Sequence, residues 1–129
     1  MHPVLVLEDN ETSRFVIRAV LEQAGLDVVE AVNAEDAIRV CEEHGGRIGL
    51  VIADAILRGS NGPEAAKRLR VIAPEVPILF ISGFPLEQLV NRGLLRPGEL
   101  GQANVSFLQK PFLPKALLNK VEDLTHGRE

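Results

Sequence analysis

The chain has 129 residues, 46% of them hydrophobic and 25% charged, which fits a single domain over residues 1–129 that buries a core without disulfide or metal staples. A net charge of -4 argues against non-specific nucleic-acid binding, and the absence of Trp and Tyr argues against a base-stacking platform. The single cysteine, Cys41, excludes an internal disulfide and implies a reducing cytoplasm, and the apolar run after Pro3 is too short for a signal peptide or a membrane span.

Short apolar runs alternate with amphipathic stretches along the chain. Val4 to Leu7 reads as a first strand, and Glu11 to Ala24 as a helix closed by Gly25 at its C′ position. Leu26 to Ala31 is a second strand. Asn33 caps a second helix, with Glu35 and Asp36 in its first turn, that ends at Gly45-Gly46. Ile48 to Ala53 is a third strand, and Gly62-Pro63 opens a helix that ends before Pro74. Pro77 to Ile81 is a fourth strand, followed by a helix from near Pro85 to about Arg92. Val105 to Leu108 is a fifth strand and Pro114 to Leu124 a fifth helix. Gly93 to Asn104, broken by Gly and Pro, reads as a long loop or a broken helix end.

Five βα units imply an α/β fold with a doubly wound five-stranded parallel sheet and helices on both faces. In such sheets ligands bind beyond the carboxyl ends of the strands, at the switch point. Glu8 and Asp9 end the first strand, Asp54 the third; Ser82 follows the fourth and Lys110 the fifth. Parallel strands bring all of these to one rim. Crowded carboxylates repel one another, and a hard divalent cation relieves that conflict; few protein ligands plus waters is the habit of Mg²⁺. Lys110 and Ser82 supply a charge and a hydroxyl for phosphate oxygens, and one carboxylate is free to be a nucleophile. The set points to phosphoryl transfer onto an aspartate by positioning and charge neutralisation.

Glu8-Asp9 after VLVL, Asp54 after LVIA, Asn61-Gly62, Ser82-Gly83 after ILFI, and Lys110-Pro111-Phe112 resemble the receiver domains of two-component response regulators. The stretches GPEAAKRLR, ISGF and FLQKPF are most similar to receivers attached to hybrid sensor histidine kinases. The resemblance covers essentially the whole chain and implies the flavodoxin-like strand order 2-1-3-4-5. It implies that Asp54 is phosphorylated and that Asp9 and Asp54 bind Mg²⁺ together with the Ile56 backbone carbonyl, Glu8 acting mainly through water. It also implies that Lys110 pairs with Asp54 and then with the phosphoryl group, that Ser82 moves to that group, and that Phe107 is the aromatic whose rotamer follows Ser82. The implied partners are a sensor histidine kinase or phosphotransfer protein, with a downstream effector or a homodimer partner beyond it. No direct nucleic-acid or membrane contact is implied, and no turnover of a small substrate.

The sequence departs from the family pattern at several places. Glu8 stands where Asp is commoner. Leu57-Arg58 replaces the frequent Met-Pro and brings a positive charge near the site. Phe107 lacks a hydroxyl, and the interval from Ser82 to Lys110 is longer than usual. The loop around Arg58 and the long segment before Lys110 motivate a second reading, a non-phosphorylated pseudo-receiver that acts as a protein-interaction module. A small α/β enzyme is a third. It is disfavoured because Asn10-Glu11-Thr12 stands where a glycine-rich phosphate loop would follow the first strand. Phosphatases of the aspartate type would also place their nucleophile on the first strand.

Overall fold

The computed structural model describes residues 2–96, 98 and 104–126. Its elements run β1 (Val4–Leu7), α1 (Glu11–Gln23), β2 (Val28–Ala31), α2 (Ala34–Glu43), β3 (Leu50–Asp54), β4 (Ile56–Leu57), β5 (Ser60–Asn61), α3 (Gly62–Ile72), β6 (Ile78–Ser82), α4 (Leu86–Asn91), β7 (Val105–Gln109) and α5 (Pro114–His126). The main sheet is parallel, in the order β2-β1-β3-β6-β7. Leaving aside β4 and β5, which form a small antiparallel hairpin, this is the expected 2-1-3-4-5 order.

Side-chain alternation divides the core into two layers. Leu5, Leu7, Val51, Ala53, Ile78 and Phe80 face α2 and α3, where Ala37, Cys41, Ala65 and Leu69 meet them. The intervening residues Val4, Val6, Leu50, Ile52, Leu79 and Ile81 face α1 and α5, through Ile17, Leu21, Leu117 and Val121. Both faces are apolar, so these strands read as continuous hydrophobic runs rather than alternating ones, as buried parallel strands do.

Local chemistry sets the element ends. Gly25, at φ 85°, donates to Glu22 O while Leu26 donates to Leu21 O, which closes α1 with a left-handed turn. Gly45 and Gly46 close α2 in the same way. Asn10, Asn33 and Asn61 each cap a helix by accepting from the backbone N–H three residues on. At α2 the Asp36 side chain adds a second tie by accepting from the N–H of Val32, the residue before the cap, at 3.1 Å. Asn33→Ala is expected to lower stability by about 1 kcal/mol, read by urea denaturation.

The helix α4 is six residues long, and Pro85 gives it no side-chain cap. Helices this short are marginal alone in water. It is anchored by buried Leu89 and by the Arg92 guanidinium stacked 4.4 Å from the Phe84 ring centroid. Of the Gly93–Asn104 segment, residues 97 and 99–103 lie outside the described residues; Leu95 is buried against the core.

Candidate functional site at the carboxyl edge of the sheet

The ladder hydrogen bonds continue one residue past the strand ends and thereby set the rim. Glu8 N donates to Ala31 O at 3.1 Å, Ala55 N to Ile81 O at 2.8 Å, and Lys110 N to Ser82 O at 2.7 Å. These pairings hold Glu8, Asp54, Ser82 and Lys110 side by side on adjacent strands. All three polar residues among them apart from the lysine are buried: Glu8 is 0%, Asp54 8% and Ser82 1% exposed.

Lys110 is the hub. Its Nζ donates to Glu8 Oε1 at 2.5 Å and to Asp54 Oδ2 at 2.8 Å, with Ser13 Oγ at 3.5 Å. Burial opposes its charge, but the hydrogen bonds to Asp54 and Glu8 outweigh burial and hold the ammonium above the ordinary lysine range. Burial dominates at Glu8 and pushes its carboxyl up; the Lys110 bond opposes this and the Asp54 charge adds to it. One cation therefore serves two carboxylates. The Lys110–Pro111 peptide is cis.

The remaining acid oxygens are held by loop backbone. Ile56 N donates to Asp54 Oδ1 at 3.0 Å, and Arg58 N donates to Asp9 Oδ2 at 2.8 Å. The β4–β5 hairpin thus grips both aspartates. Ser82 Oγ accepts from the Phe84 N–H at 3.0 Å, so its hydroxyl is engaged by its own loop. Phe107 pairs in register with Phe80 and packs partly buried against the α2–α3 layer.

The structure brings Glu8, Asp54 and Lys110 into direct contact and sets Asp9 on the loop after β1, Ile56 at the start of β4 and Ser82 at the end of β6. Sequence reasoning missed the role of Arg58, whose contribution is its amide rather than its charge. It also missed Arg14, which donates through Nη1 to Glu8 O at 2.9 Å and through Nε to Glu30 Oε1 at 3.1 Å. A charged Glu30 inside the short apolar strand β2 was the available signal.

An open parallel α/β domain with two buried acids and a lysine at its carboxyl edge is the class that fold and site define. The response regulator receiver domain model matches residues 4–122, and the chain belongs to that family of two-component signalling modules. It is 31% identical over 98% of its length to the sensor kinase CckA of Brucella abortus, of which it spans 13%. It is 30% identical to the response regulator receiver protein CpdR of the same organism, covering 94% of this chain and 93% of that one. The crystal structure of the receiver domain from the hybrid histidine kinase CckA superposes with a TM-score of 0.77 at 31% identity, covering 95% of this chain and 98% of that one. A response regulator receiver protein from Sinorhizobium medicae WSM419 superposes at 0.81 with 25% identity, over 99% and 97% of the two chains.

Proposed function

We propose that the chain works as one phosphoacceptor unit in which Asp54 takes a phosphoryl group from a phosphohistidine of a sensor histidine kinase or phosphotransfer protein. The observation that carries this reading is the Lys110 ammonium 2.8 Å from Asp54 Oδ2 on a carboxylate that is nearly buried at a strand end. An Asp54 oxygen attacks phosphorus, a P–O bond forms, and the P–N bond breaks with its electron pair leaving on the imidazole. Lys110 stays beside Asp54 and neutralises charge on the transferred group. The Ser82 hydroxyl moves to donate its O–H to a phosphoryl oxygen, and Phe107 repacks with it. The added charge of about -1.5 to -2 then switches a protein-binding face for an effector or a second copy.

The Asp9 and Asp54 carboxylates and the Ile56 carbonyl offer oxygen ligands, which suit Mg²⁺. Among the described residues no cluster of three or more His, Cys, Asp or Glu stands ready as a metal cage. Asp9, Asp54 and the Ile56 carbonyl would hold the ion, with Glu8 acting through water, and few protein ligands plus waters is what Mg²⁺ accepts. The ion supplies charge neutralisation at a phosphate oxygen. Asp9 would exchange its bond to the Arg58 N–H for the metal.

Exposed Val16 joins Ser13, Gly83, Lys110 and Phe112 around an apolar groove of about 450 Å³ beside this rim. Apolar surface beside a charged centre suits a protein partner rather than nucleic acid. Among the described residues no helix is long and apolar enough to cross a membrane, and buried, free Cys41 fits a reducing cytoplasm.

The test is intact-mass spectrometry after incubation with a small phosphodonor, with and without Mg²⁺. One Mg²⁺-dependent phosphoryl addition is expected, absent in Asp54→Asn. Full modification of Asp54→Asn would sink the assignment. The engagement of Asp9 by Arg58 favours one competing reading, a pseudo-receiver that binds partners without phosphorylation. Saturable Mg²⁺ binding lost in Asp9→Ala would exclude it, and no Mg²⁺ binding would establish it over the phosphoacceptor.

A further inference from the structure

We propose that Arg14 is a positioning residue for the acid pair that ends β1, with Glu30 of β2 as its anchor. The inference rests on the phosphoacceptor reading above, since it concerns how that site's metal-binding acids are aimed.

Arg14 lies on α1, one turn past the Asn10 cap, and its guanidinium turns back to the strand end rather than out to solvent. Nη1 donates to the Glu8 carbonyl at 2.9 Å. That carbonyl belongs to the planar peptide whose nitrogen is the amide of Asp9, so holding the oxygen fixes the direction in which the Asp9 backbone departs. Nε donates at the same time to Glu30 Oε1 at 3.1 Å. The planar fork of the guanidinium directs separate N–H groups at the two acceptors, a fixed geometry that the single ammonium of a lysine lacks.

The anchor is itself held. The other Glu30 oxygen accepts from Arg18, and Arg18 Nε lies 3.2 Å from Glu22 Oε2. Exposure grades along this chain. The Arg14 and Glu30 side chains are 17% and 30% exposed, against 41% and 49% for Arg18 and Glu22. Helix α1 already has its surface pair in Arg18–Glu22, so its stability does not require a second arginine aimed at a strand-end carbonyl. Glu8 is consequently clamped twice: its side chain by Lys110 and its carbonyl by Arg14. Asp9, which follows it, has one carboxylate oxygen on the Arg58 amide, and the Arg14 clamp defines the backbone from which that side chain swings to a metal.

Positioning and simple electrostatics predict opposite signs. Removing a cation near the acids should tighten Mg²⁺ binding if charge alone matters. Losing the group that orients the ligands should weaken it, by about tenfold on the scale typical of outer-shell partners.

The test uses the full chain, with Mg²⁺ affinity measured by calorimetry and the Asp9 and Asn10 amide resonances followed by NMR without metal. Arg14→Met is expected to bind Mg²⁺ about tenfold more weakly and to shift both amides, and Glu30→Gln to bind it more weakly by a smaller factor. Val121→Ala, a core change on α5, is the control for lost stability and is expected to leave the affinity within about twofold. Unchanged or tighter binding in Arg14→Met overturns the inference, as does an equal weakening in Val121→Ala. Should Arg14→Met fail to fold, Glu30→Gln decides the matter by the same readouts. Wild-type protein that binds no Mg²⁺ would refute the phosphoacceptor reading itself, and this inference with it.

Discussion

Lys110→Met is expected to destabilise the chain by about 3 kcal/mol or more at neutral pH, because it strands a buried carboxylate. Glu8 has no exposed surface, and the Lys110 ammonium lies 2.5 Å from it. The effect has a pH signature. Burial already holds the Glu8 carboxyl above its ordinary value of 4.5, and Lys110 opposes that rise. Without Lys110 the folded-state pKa climbs further. A group whose pKa is raised on folding contributes stability that is present below its unfolded value and is lost as pH rises through its folded value. The deficit of the variant relative to wild type should therefore be largest near neutrality and shrink as pH falls toward and below 4.5. Lys110 is itself raised above 10.5 by its bonds to Asp54 and Glu8, against burial. Its own contribution in wild type persists through neutrality and is lost only as pH rises through that raised alkaline value. Urea denaturation across pH 4–8 reads the difference. A constant gap between the two proteins over that range would refute the buried-charge account. Phosphorylation of the variant should also slow by about 10²–10³, the usual loss when a positioned charge-stabilising donor is removed.

The fold was legible because the strands are buried on both faces, and their continuous apolar runs stand out between capped helices. Asn33 as a cap, Gly25 as terminator and Pro63 at the start of α3 are local signals that need no tertiary knowledge. Strand limits were less legible. Leu26 and Asp27 lie before β2 although their composition joins them to it, and Asp54 belongs to β3 although its charge suggests a turn. The hairpin β4–β5 left no apolar pattern, since two-residue strands have no period to read. At the site, position at strand ends exposed Glu8, Asp9, Asp54, Ser82 and Lys110. What the sequence does not encode visibly is the choice of hydrogen-bond partner. Arg58 acts through a backbone amide, which every non-proline residue possesses, and Arg14 acts across the gap between a helix and a strand end.

The partners in this state share a feature that bears on mechanism. Asp54 is held by the amide of Ile56 and Ser82 by that of Phe84, each two residues on, while Asp9 is held by Arg58 across the rim. None of these three bonds belongs to the sheet ladder, so on the proposed reading the amides of Ile56, Arg58 and Phe84 would be released to an incoming phosphoryl group or cation without breaking the sheet. The core strands would then stay fixed, and the switching would fall to the segments that carry those amides.

Gly62→Ala is expected to damage the site severely although residue 62 carries no functional side chain. A Cβ at position 62 would sit 2.3 Å from Asp54 O, 3.0 Å from Asp54 C and 3.1 Å from Ala55 Cα. These are backbone atoms, which cannot swing aside as a side chain would. Gly62 N also donates to Ala55 O at 2.9 Å, so the close approach belongs to the joint between β3 and α3. The added methyl must push the Asp54 backbone outward or displace the start of α3. Overpacking of this kind carries a penalty of about 1–3 kcal/mol. The larger consequence is chemical. A shift of about 1 Å in a reacting group can lower a rate by about 10²-fold, and Asp54 would move against Lys110, which Glu8 holds from the other side. Gly25→Ala separates strain from position. Gly25 has φ 85° and nothing within 4 Å of its would-be Cβ, so alanine there is strained by about 1 kcal/mol and leaves the rim alone. Rates of phosphorylation by intact mass, paired with urea denaturation, should show both variants less stable and only Gly62→Ala slow. Equal rates in the two variants would mean that Asp54 tolerates displacement, and that the tight joint at Gly62 serves the fold rather than the chemistry.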